Sequence, residues 1–158
     1  MRVAEVMTRE PVRCRPWDSL ETAAQIMWDR DCGCVPIVDE ENRAIAMVTD
    51  RDACMAGYTQ GMALRDIPVA TAMSKDLYAC GPDETVTDAE NTMRCRQVRR
   101  LPVINEAGLL IGILSLNDIN RVQTNAQARR KGAPEDEVKA TLAAIGTPRM
   151  RPALASAS

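Results

Sequence analysis

Two short polar clusters, each placed directly after an apolar run, carry the side chains best suited to chemistry in this chain. One is Thr49 with Asp52, and the other is Ser115 with Asp118. A hydroxyl followed three residues later by an acid is the pattern of a helix capping box, in which each side chain bonds the other residue's backbone N–H. A carboxylate at a helix start can also accept hydrogen bonds from the hydroxyl groups of a ligand. The pattern alone leaves both roles open.

The other candidate groups are one pair of arginines and one pair of cysteines. Arg99 and Arg100 precede an apolar run; a guanidinium binds phosphate oxygens bidentately, although an adjacent pair is also typical of a solvated surface. Cys32 and Cys34 lie on either side of Gly33, but the chain has no histidine and no second close cysteine pair to complete a zinc site. The lack of histidine also removes the commonest general base. We therefore expect a binding protein without a metal, and not an enzyme.

Composition excludes several classes of partner. The chain has 158 residues, 46% of them hydrophobic, and a formal net charge of -2. This size suits one compact domain or two closely packed halves. The charge disfavours a general nucleic-acid or anionic-membrane binder, because such binding needs a basic surface. No apolar run approaches the roughly 20 residues of a membrane span, and the N-terminus has no apolar signal segment. We expect a cytoplasmic protein whose six cysteines remain thiols.

The polar clusters belong to an internal repeat. Shifting the sequence by 66 residues places residues 3–54 on residues 69–120 without a gap, and 12 of these 52 pairs are identical. Asp52 then coincides with Asp118, Thr49 with Ser115, and Gly33-Cys34 with Arg99-Arg100. Fixed self-similarity of this kind indicates a tandem duplication of one supersecondary unit.

Each copy predicts the same order of elements. Asp18-Ser19 offers a helix start, and apolar residues recur at helical spacing over 20–27 and again over 86–93. Two apolar runs around a polar turn follow, at 35–38 and 44–48 and again at 101–104 and 109–114, and predict a hairpin with proline near the start of its first strand. A second helix is expected from Thr49 and from Ser115. With a short N-terminal strand, the unit is β-α-β-β-α.

This order resembles the CBS (cystathionine β-synthase-type) motif, with Met-Thr near its start, Val-Pro-Ile-Val-Asp in the middle and an apolar strand running into Thr-x-x-Asp. The resemblance covers residues 3–122 and implies an α/β fold: tandem CBS motifs packed as a pseudo-twofold pair, or Bateman module. We expect motif 1 at 1–58, a linker at 59–68, motif 2 at 69–122 and a C-terminal extension at 123–158, with a helix over 134–145 and a disordered tail. One departure from the family is Ala46, at a position where glycine is usual. The equivalent residue of the second repeat, Gly112, is a glycine.

The resemblance also implies two clefts between the motifs for adenosine-containing ligands: AMP, ADP or ATP, and less readily S-adenosylmethionine. Asp52 and Asp118, with Thr49 and Ser115, would hold the ribose. Each cleft would be closed by the N-terminal strand of the opposite motif, through Ser74, Asp76 and Tyr78 at the Asp52 cleft and through Thr8, Glu10 and Val12 at the Asp118 cleft. Tyr78 is a candidate for stacking on the base. Arg99 and Arg100 are expected to face the Asp52 cleft, leaving Gly33 and Cys34 at the Asp118 cleft.

Two functions are compatible with this reading. The first is a regulatory module that senses an adenine nucleotide, forms a homodimer through its helices and changes the activity of a target protein that the sequence does not name. The alternative is a structural or interaction module with vestigial clefts, in which Cys32 and Cys34 form a redox element.

Overall fold

The computed structural model describes residues 1–127, and the side chains of its last helix as far as Val122. The strands and helices follow in the order β1 (Thr8–Arg9), α1 (Leu20–Asp29), β2 (Cys34–Val38), β3 (Ala44–Thr49), α2 (Asp50–Gln60), α3 (Val86–Arg96), β4 (Arg100–Ile104), β5 (Leu110–Ser115) and α4 (Leu116–Gln127). No helix among these residues is both long and apolar enough to span a bilayer. The predicted helix over 134–145 and the predicted disordered tail lie outside the described residues.

Local sequence signals explain where the helices begin and end. Ser19 is the N-cap of α1, and its hydroxyl accepts from the Thr22 amide at 3.2 Å. Thr85 caps α3 in the same way through the Asp88 amide at 3.1 Å. α2 ends at Gly61, whose φ of 62° is the left-handed conformation that stops a helix at little cost to glycine. The helix starts predicted from Asp18-Ser19 and from Thr49 are confirmed.

Both predicted hairpins are present, as β2–β3 and β4–β5, with antiparallel pairing. Each has a register shift near its turn, at Ile37/Val38 and at Val103/Ile104, so the bulge is duplicated as well. Pro36 lies in the third position of β2. Its carbonyl accepts from the Cys14 amide at 3.1 Å. Because the nitrogen and carbonyl of one strand residue point to the same side, proline costs the β2–β3 ladder no hydrogen bond.

The two hairpins meet at their turns. The Ala44 amide donates to the Gly108 carbonyl at 3.2 Å, and the Leu110 amide donates to the Asn42 carbonyl at 3.0 Å. These two bonds are equivalent under the 66-residue shift, and Arg43 and Leu109 form an antiparallel bridge between them. Because each bond maps onto the other, the predicted pseudo-twofold axis passes between the two turns.

The first segment of each repeat completes the core of the other repeat. Val3 and Ala4 donate to the carbonyls of Glu84 and Pro82, both at 3.0 Å, and Val3 is buried in the core of the second repeat. Val69 donates to Asp18 at 2.7 Å and lies in the core of the first repeat. The structure therefore has two cores, and each is built from most of one repeat and the first segment of the other.

Candidate functional site

Both polar clusters form the capping boxes that their spacing predicts. At the start of α2, Thr49 Oγ1 donates to Asp52 Oδ2 at 2.7 Å, and the Asp52 amide donates back to Thr49 Oγ1 at 3.2 Å. At the start of α4, Ser115 Oγ donates to Asp118 Oδ2 at 2.6 Å, and the Asp118 amide donates to Ser115 Oγ at 3.2 Å. One carboxylate oxygen of each aspartate is therefore used in capping, and the other is left to face a ligand or a neighbour.

The second oxygen distinguishes the two aspartates. Asp118 Oδ1 accepts from Arg121 Nη2 at 2.5 Å, an ion pair within one turn of α4. The residue in the same place on α2 is Met55, which is 46% exposed and cannot donate. Asp118 itself is 7% exposed. Burial of a carboxylate is costly unless it is paired and hydrogen-bonded. Arg121 therefore fixes the orientation of Asp118, and Asp52 has no equivalent guanidinium on its own helix.

Asp118 lies in a cavity of about 380 Å³ between the two repeats, which we call the Asp118 cleft. One repeat contributes the end of β5 and the start of α4. The other contributes the end of α1 and the start of β2, and the segment after β1 closes one side. The lining residues are Thr8, Arg9, Glu10, Pro11, Val12, Ile26, Arg30, Asp31, Cys32, Gly33, Cys34, Pro36, Arg100, Ile113, Ser115, Asn117, Asp118 and Arg121.

The β1 segment is positioned by the edge of β5. Thr8 pairs with Ile113, and Arg9 pairs with Gly112 in an antiparallel bridge. Glu10 has a φ of 47°, which turns the chain away from the sheet, and its amide donates to the Ile111 carbonyl at 3.2 Å. The structure thus brings Thr8, Glu10 and Val12 to the cleft that contains Ser115 and Asp118, as the resemblance implied.

Arg100 lies elsewhere than the sequence reasoning placed it. Gly33 and Cys34 line the Asp118 cleft as expected, but Arg100 lines it as well, so the expectation that this cleft has no guanidinium was wrong. It is the first residue of β4 and opposes Ser115 across the hairpin. Arg99 is exposed and is not among the residues lining the cleft; its carbonyl accepts from the Leu116 amide at 3.0 Å. The adjacent arginines therefore have different surroundings.

On the Asp52 side, the segment around Ser74 replaces the N-terminal strand that the repeat predicts. The Ser74 amide donates to the Met47 carbonyl at 2.8 Å, but the Met47 amide donates to the Ser74 hydroxyl at 3.1 Å. A side-chain oxygen thus takes the place of a backbone carbonyl, and no strand is present here. Asp76 is exposed, and its carbonyl accepts from Ser74 Oγ at 3.0 Å.

Tyr78 already has a cation on its ring. The Arg96 guanidinium carbon lies 4.9 Å from the centroid of that ring, within the range of a cation–π contact. Tyr78 and Arg96 line a separate, open cavity of about 450 Å³ that includes neither Thr49 nor Asp52. A base could stack on this face of Tyr78 only after Arg96 moved away.

The cysteines differ sharply in exposure. Cys32 is exposed at the Asp118 cleft, and its thiol donates to the Cys34 carbonyl at 3.4 Å. Cys34 is buried, and burial raises its pKa to about 12. Because the thiolate is the nucleophile in disulfide exchange, Cys34 is poorly suited to be one half of a redox pair at neutral pH. Among the described residues, no cluster of three or more cysteine or acidic side chains has the arrangement of a metal site.

Sequence reasoning missed Arg30 and Arg121 as lining residues. The amino-acid sequence contains one feature that points to each of these two residues. Arg30 is identical to Arg96 in the repeat, so a position at the end of the first helix was retained in both copies. Arg121 follows Asp118 by three residues, which puts both on the same face of a helix. Neither signal says which cavity the side chain enters.

Comparison with known proteins agrees with the repeat and with the fold. The CBS domain family model matches residues 3–57 and 64–125. A 17.7 kDa protein of Acidianus ambivalens is 31% identical over 140 residues, which cover 89% of this chain and 84% of that protein. The CBS domain-containing protein YhcV of Bacillus subtilis is 33% identical over 119 residues, or 74% and 81% of the two chains. A homoserine O-acetyltransferase of Methanococcoides burtonii is 32% identical, but the match spans only 24% of that enzyme.

Solved structures share the same architecture. Hypoxic Response Protein I, solved with two coordinated zinc ions, is 27% identical with a TM-score of 0.69, over 84% of this chain and all of that one. A CBS domain pair in complex with 5′-methylthioadenosine and S-adenosyl-L-methionine has a TM-score of 0.71 at 21% identity, over 80% and 98% of the chains. A CBS domain protein of Pyrobaculum aerophilum complexed with AMP has a TM-score of 0.67 at 23% identity, over 75% and 89%. With the family match over both repeats, this chain belongs to the CBS domain family as a tandem pair of CBS motifs.

Proposed function

We propose that this chain is a regulatory module that binds an adenine nucleotide of the AMP, ADP or ATP class in the Asp118 cleft. The observation that carries the proposal is the convergence of three kinds of group on one cavity of about 380 Å³. This volume lies within the range of small-molecule sites, roughly 300 to 1,000 Å³. The adenosine compounds in the solved CBS pairs support the same ligand class.

Each part of a nucleotide has a counterpart in the cleft. Asp118 and Ser115, held at the start of α4, suit the ribose hydroxyls, because a carboxylate accepts from both. The apolar surfaces of Val12, Ile26 and Ile113 suit the faces of the base. The guanidinium groups suit phosphate oxygens. S-adenosylmethionine shares the adenosine moiety and remains the less favoured ligand.

Regulation follows from the position of the cleft between the repeats. A ligand that contacts both repeats shifts the population toward the arrangement that it binds better, by no more than its differential affinity for the two. We further propose that the active form is a cytoplasmic homodimer that presents this change to a target protein. Met55 and Tyr58 lie three residues apart on α2, and Met62 follows its end at Gly61; they are 46%, 80% and 46% exposed, which supports an interface on this helix. Light scattering that shows a monomer at tens of micromolar would contradict the dimer.

Thermal unfolding with AMP tests the ligand, using Asp118→Asn and a matched control. A ligand at about 100 times its Kd stabilises the folded form by about 2.7 kcal/mol. Asp118→Asn should abolish this stabilisation. Asp88→Asn alters an equivalent cap, in which Thr85 Oγ1 donates to Asp88 Oδ2 at 2.6 Å, but Asp88 lies outside the cleft. That variant should lose stability and keep its response to AMP. A wild-type chain whose melting is unchanged by AMP, ADP and ATP would contradict the proposal.

The alternative of a structural module with vestigial clefts predicts no response to any of these nucleotides. Its redox version gains no support from Cys34, whose pKa burial raises to about 12. Oxidation that changed the melting temperature of the wild type but not of Cys32→Ser would favour the alternative.

A further inference from the structure

The capping boxes give the two aspartates the same hydrogen bonds through one oxygen, but the other oxygens differ. The Thr49 and Ser115 amides each donate at 2.9 Å to Oδ2 of the aspartate three residues later. Asp118 Oδ1 is paired with Arg121, whereas Asp52 Oδ1 accepts no hydrogen bond within the part of the chain that the structure describes. The Asp52 carboxylate is therefore free to accept from a ligand hydroxyl. A limit on binding at the Asp52 side has to come from another group.

The chain segments that close the two sides are anchored in the same register. The Ser74 amide donates to the Met47 carbonyl at 2.8 Å, and the 66-residue shift maps these two residues onto Thr8 and Ile113. Thr8 and Ile113 are paired where β1 meets β5. Because the anchors are equivalent, the residues that follow them by four positions are placed equivalently as well.

The cavity beside Tyr78 corresponds to one part of the Asp118 cleft. Tyr78 lies four residues after Ser74, and its equivalent, Val12, lines the Asp118 cleft. Other residues that line this cavity of about 450 Å³ also map onto residues that line the cleft. The equivalent pairs are Leu77 and Pro11, Tyr78 and Val12, Thr92 and Ile26, and Arg96 and Arg30. This is the part of the cleft that suits the base in the proposed function, so its counterpart on the Asp52 side is the cavity beside Tyr78.

Arg96 occupies the aromatic surface of this cavity. Its guanidinium carbon lies over the Tyr78 ring, 4.9 Å from the centroid, and Tyr78 also packs against the core of the second repeat. A guanidinium and a purine both bind the π-face of a tyrosine, so they compete for the same surface. Among the described residues, the equivalent arginine, Arg30, takes part in no cation–π contact, and Val12 has no π-face to offer. The wall that faces the base is therefore occupied in one copy and open in the other.

On the basis of the proposed function, we propose that Arg96 is an internal competitor that weakens the Asp52 side by covering the ring on which an adenine base would stack. The contact is autoinhibitory, because the carboxylate that suits the ribose is free and the surface that suits the base is not. The Asp118 cleft is then the stronger site, and the Asp52 side binds an adenosine compound only in competition with Arg96. This asymmetry follows from a tyrosine in one copy at the position where the other copy has a valine.

Two routes are open to a base at the Asp52 side, and the less costly route sets the size of the effect. A base that displaces Arg96 breaks an exposed cation–π contact, which corresponds to about two- to fivefold in affinity. A base that leaves Arg96 in place loses its stacking on the ring, which corresponds to about fivefold to a hundredfold. Displacement costs less, so Arg96→Ala should tighten binding at the Asp52 side by about two- to fivefold.

Calorimetric titration of the full chain with adenosine at millimolar concentration tests the competition. Adenosine is the probe because it has the base and the ribose without a charge, so the loss of a cation does not by itself change its affinity. The titrations are made with Asp118→Asn present, which removes the stronger site. Arg96→Ala and Arg96→Gln should each raise the adenosine affinity by about two- to fivefold. Arg94→Ala is the matched control, because Arg94 lies on the same helix, donates to Asn91 Oδ1 at 2.8 Å and is not among the residues lining the cavity.

Substitutions of the tyrosine show whether its ring is the contested surface. In Tyr78→Val, which reproduces the residue of the other copy, Arg96→Ala should no longer change the adenosine affinity. In Tyr78→Phe, which keeps the π-face, the gain from Arg96→Ala should persist. This pair of results distinguishes competition for the ring from a general effect of removing a long side chain.

The titrations separate a failure of this inference from a failure of the proposed function. If wild type binds AMP but Arg96→Ala leaves the adenosine affinity of the Asp118→Asn chain unchanged or lower, the nucleotide site stands and the competition is refuted. A gain of the same size from Arg94→Ala, or a gain that persists in Tyr78→Val, also refutes it. If no adenosine compound binds wild type, the proposed function and this inference fail together. Arg96 is exposed, so its replacement does not endanger folding; should Tyr78→Val not fold, as judged by its melting curve, the Arg96 variants still decide.

Discussion

The contact between β1 and β5 can be tested by adding one methyl group at Gly112. A β-carbon there would lie 2.5 Å from Met7 Sδ and 3.1 Å from the Thr8 carbonyl oxygen. Non-bonded heavy atoms prefer roughly 3.5 to 4.0 Å, so the Met7 sulfur would have to move by about 1 Å. The thioether can move, but the Thr8 carbonyl belongs to the strand. The substitution Gly112→Ala should therefore shift the β1 segment itself.

The expected cost combines two opposing effects. Overpacking a buried contact costs roughly 1 to 3 kcal/mol. Replacing glycine by alanine in a strand returns roughly 0.5 to 1 kcal/mol of backbone entropy. We expect Gly112→Ala to lower the free energy of unfolding by about 1 to 2 kcal/mol in urea denaturation, without a change in the m-value. Because Thr8 lines the Asp118 cleft, AMP affinity should fall as well.

The duplication supplies a control for this experiment. Ala46 is the equivalent residue in the first repeat, it is fully buried, and it already carries the methyl group. Ala46→Gly should lower the free energy of unfolding by about 1 kcal/mol through lost burial and greater backbone freedom. It should leave AMP binding at the Asp118 cleft unchanged. If Gly112→Ala proved as stable as wild type and bound AMP equally well, the argument that this close approach positions the cleft would be refuted.

Three further outcomes are expected. Burial raises the pKa of Cys14 to about 11 and those of Cys34 and Cys80 to about 12, from 9.0. As the pH rises, these thiols therefore lose their protons in the unfolded chain before they do so in the folded chain. The free energy of unfolding should fall above pH 9 by up to about 1.4 kcal/mol per pH unit for each thiol. Urea titrations at pH 8 and pH 10.5 with the same stability would contradict this. Cys32 should react with maleimide in the folded chain, and AMP should slow that reaction as followed by peptide mass mapping; equal rates would count against a nucleotide in this cleft. Gln97 ends α3 with a φ of 55°, so Gln97→Gly should raise the free energy of unfolding by about 1 kcal/mol, and a lower melting temperature would disprove this.

Local and periodic features were determined by the sequence alone. The duplication at a 66-residue interval predicts the paired elements, and the structure keeps this interval between the starts of β2 and β4 and between those of α2 and α4. The capping boxes at Thr49 and Ser115 depend on side chains three residues apart in one turn, so neighbours along the chain suffice to specify them. The hairpins follow from apolar runs around polar turns. These features need no knowledge of what lies across the interface between the repeats.

Tertiary structure alone decided the surroundings of the clefts. The exchange of the segments around Val3 and Val69 between the two cores depends on which surface each segment meets, and both copies have the same local pattern. Arg100 of the second repeat lines the Asp118 cleft beside Gly33 of the first repeat, and this juxtaposition is set by the approach of one repeat to the other. A guanidinium on a long flexible stem can reach more than one cavity, and only the packing of both repeats determines which cavity is open to it.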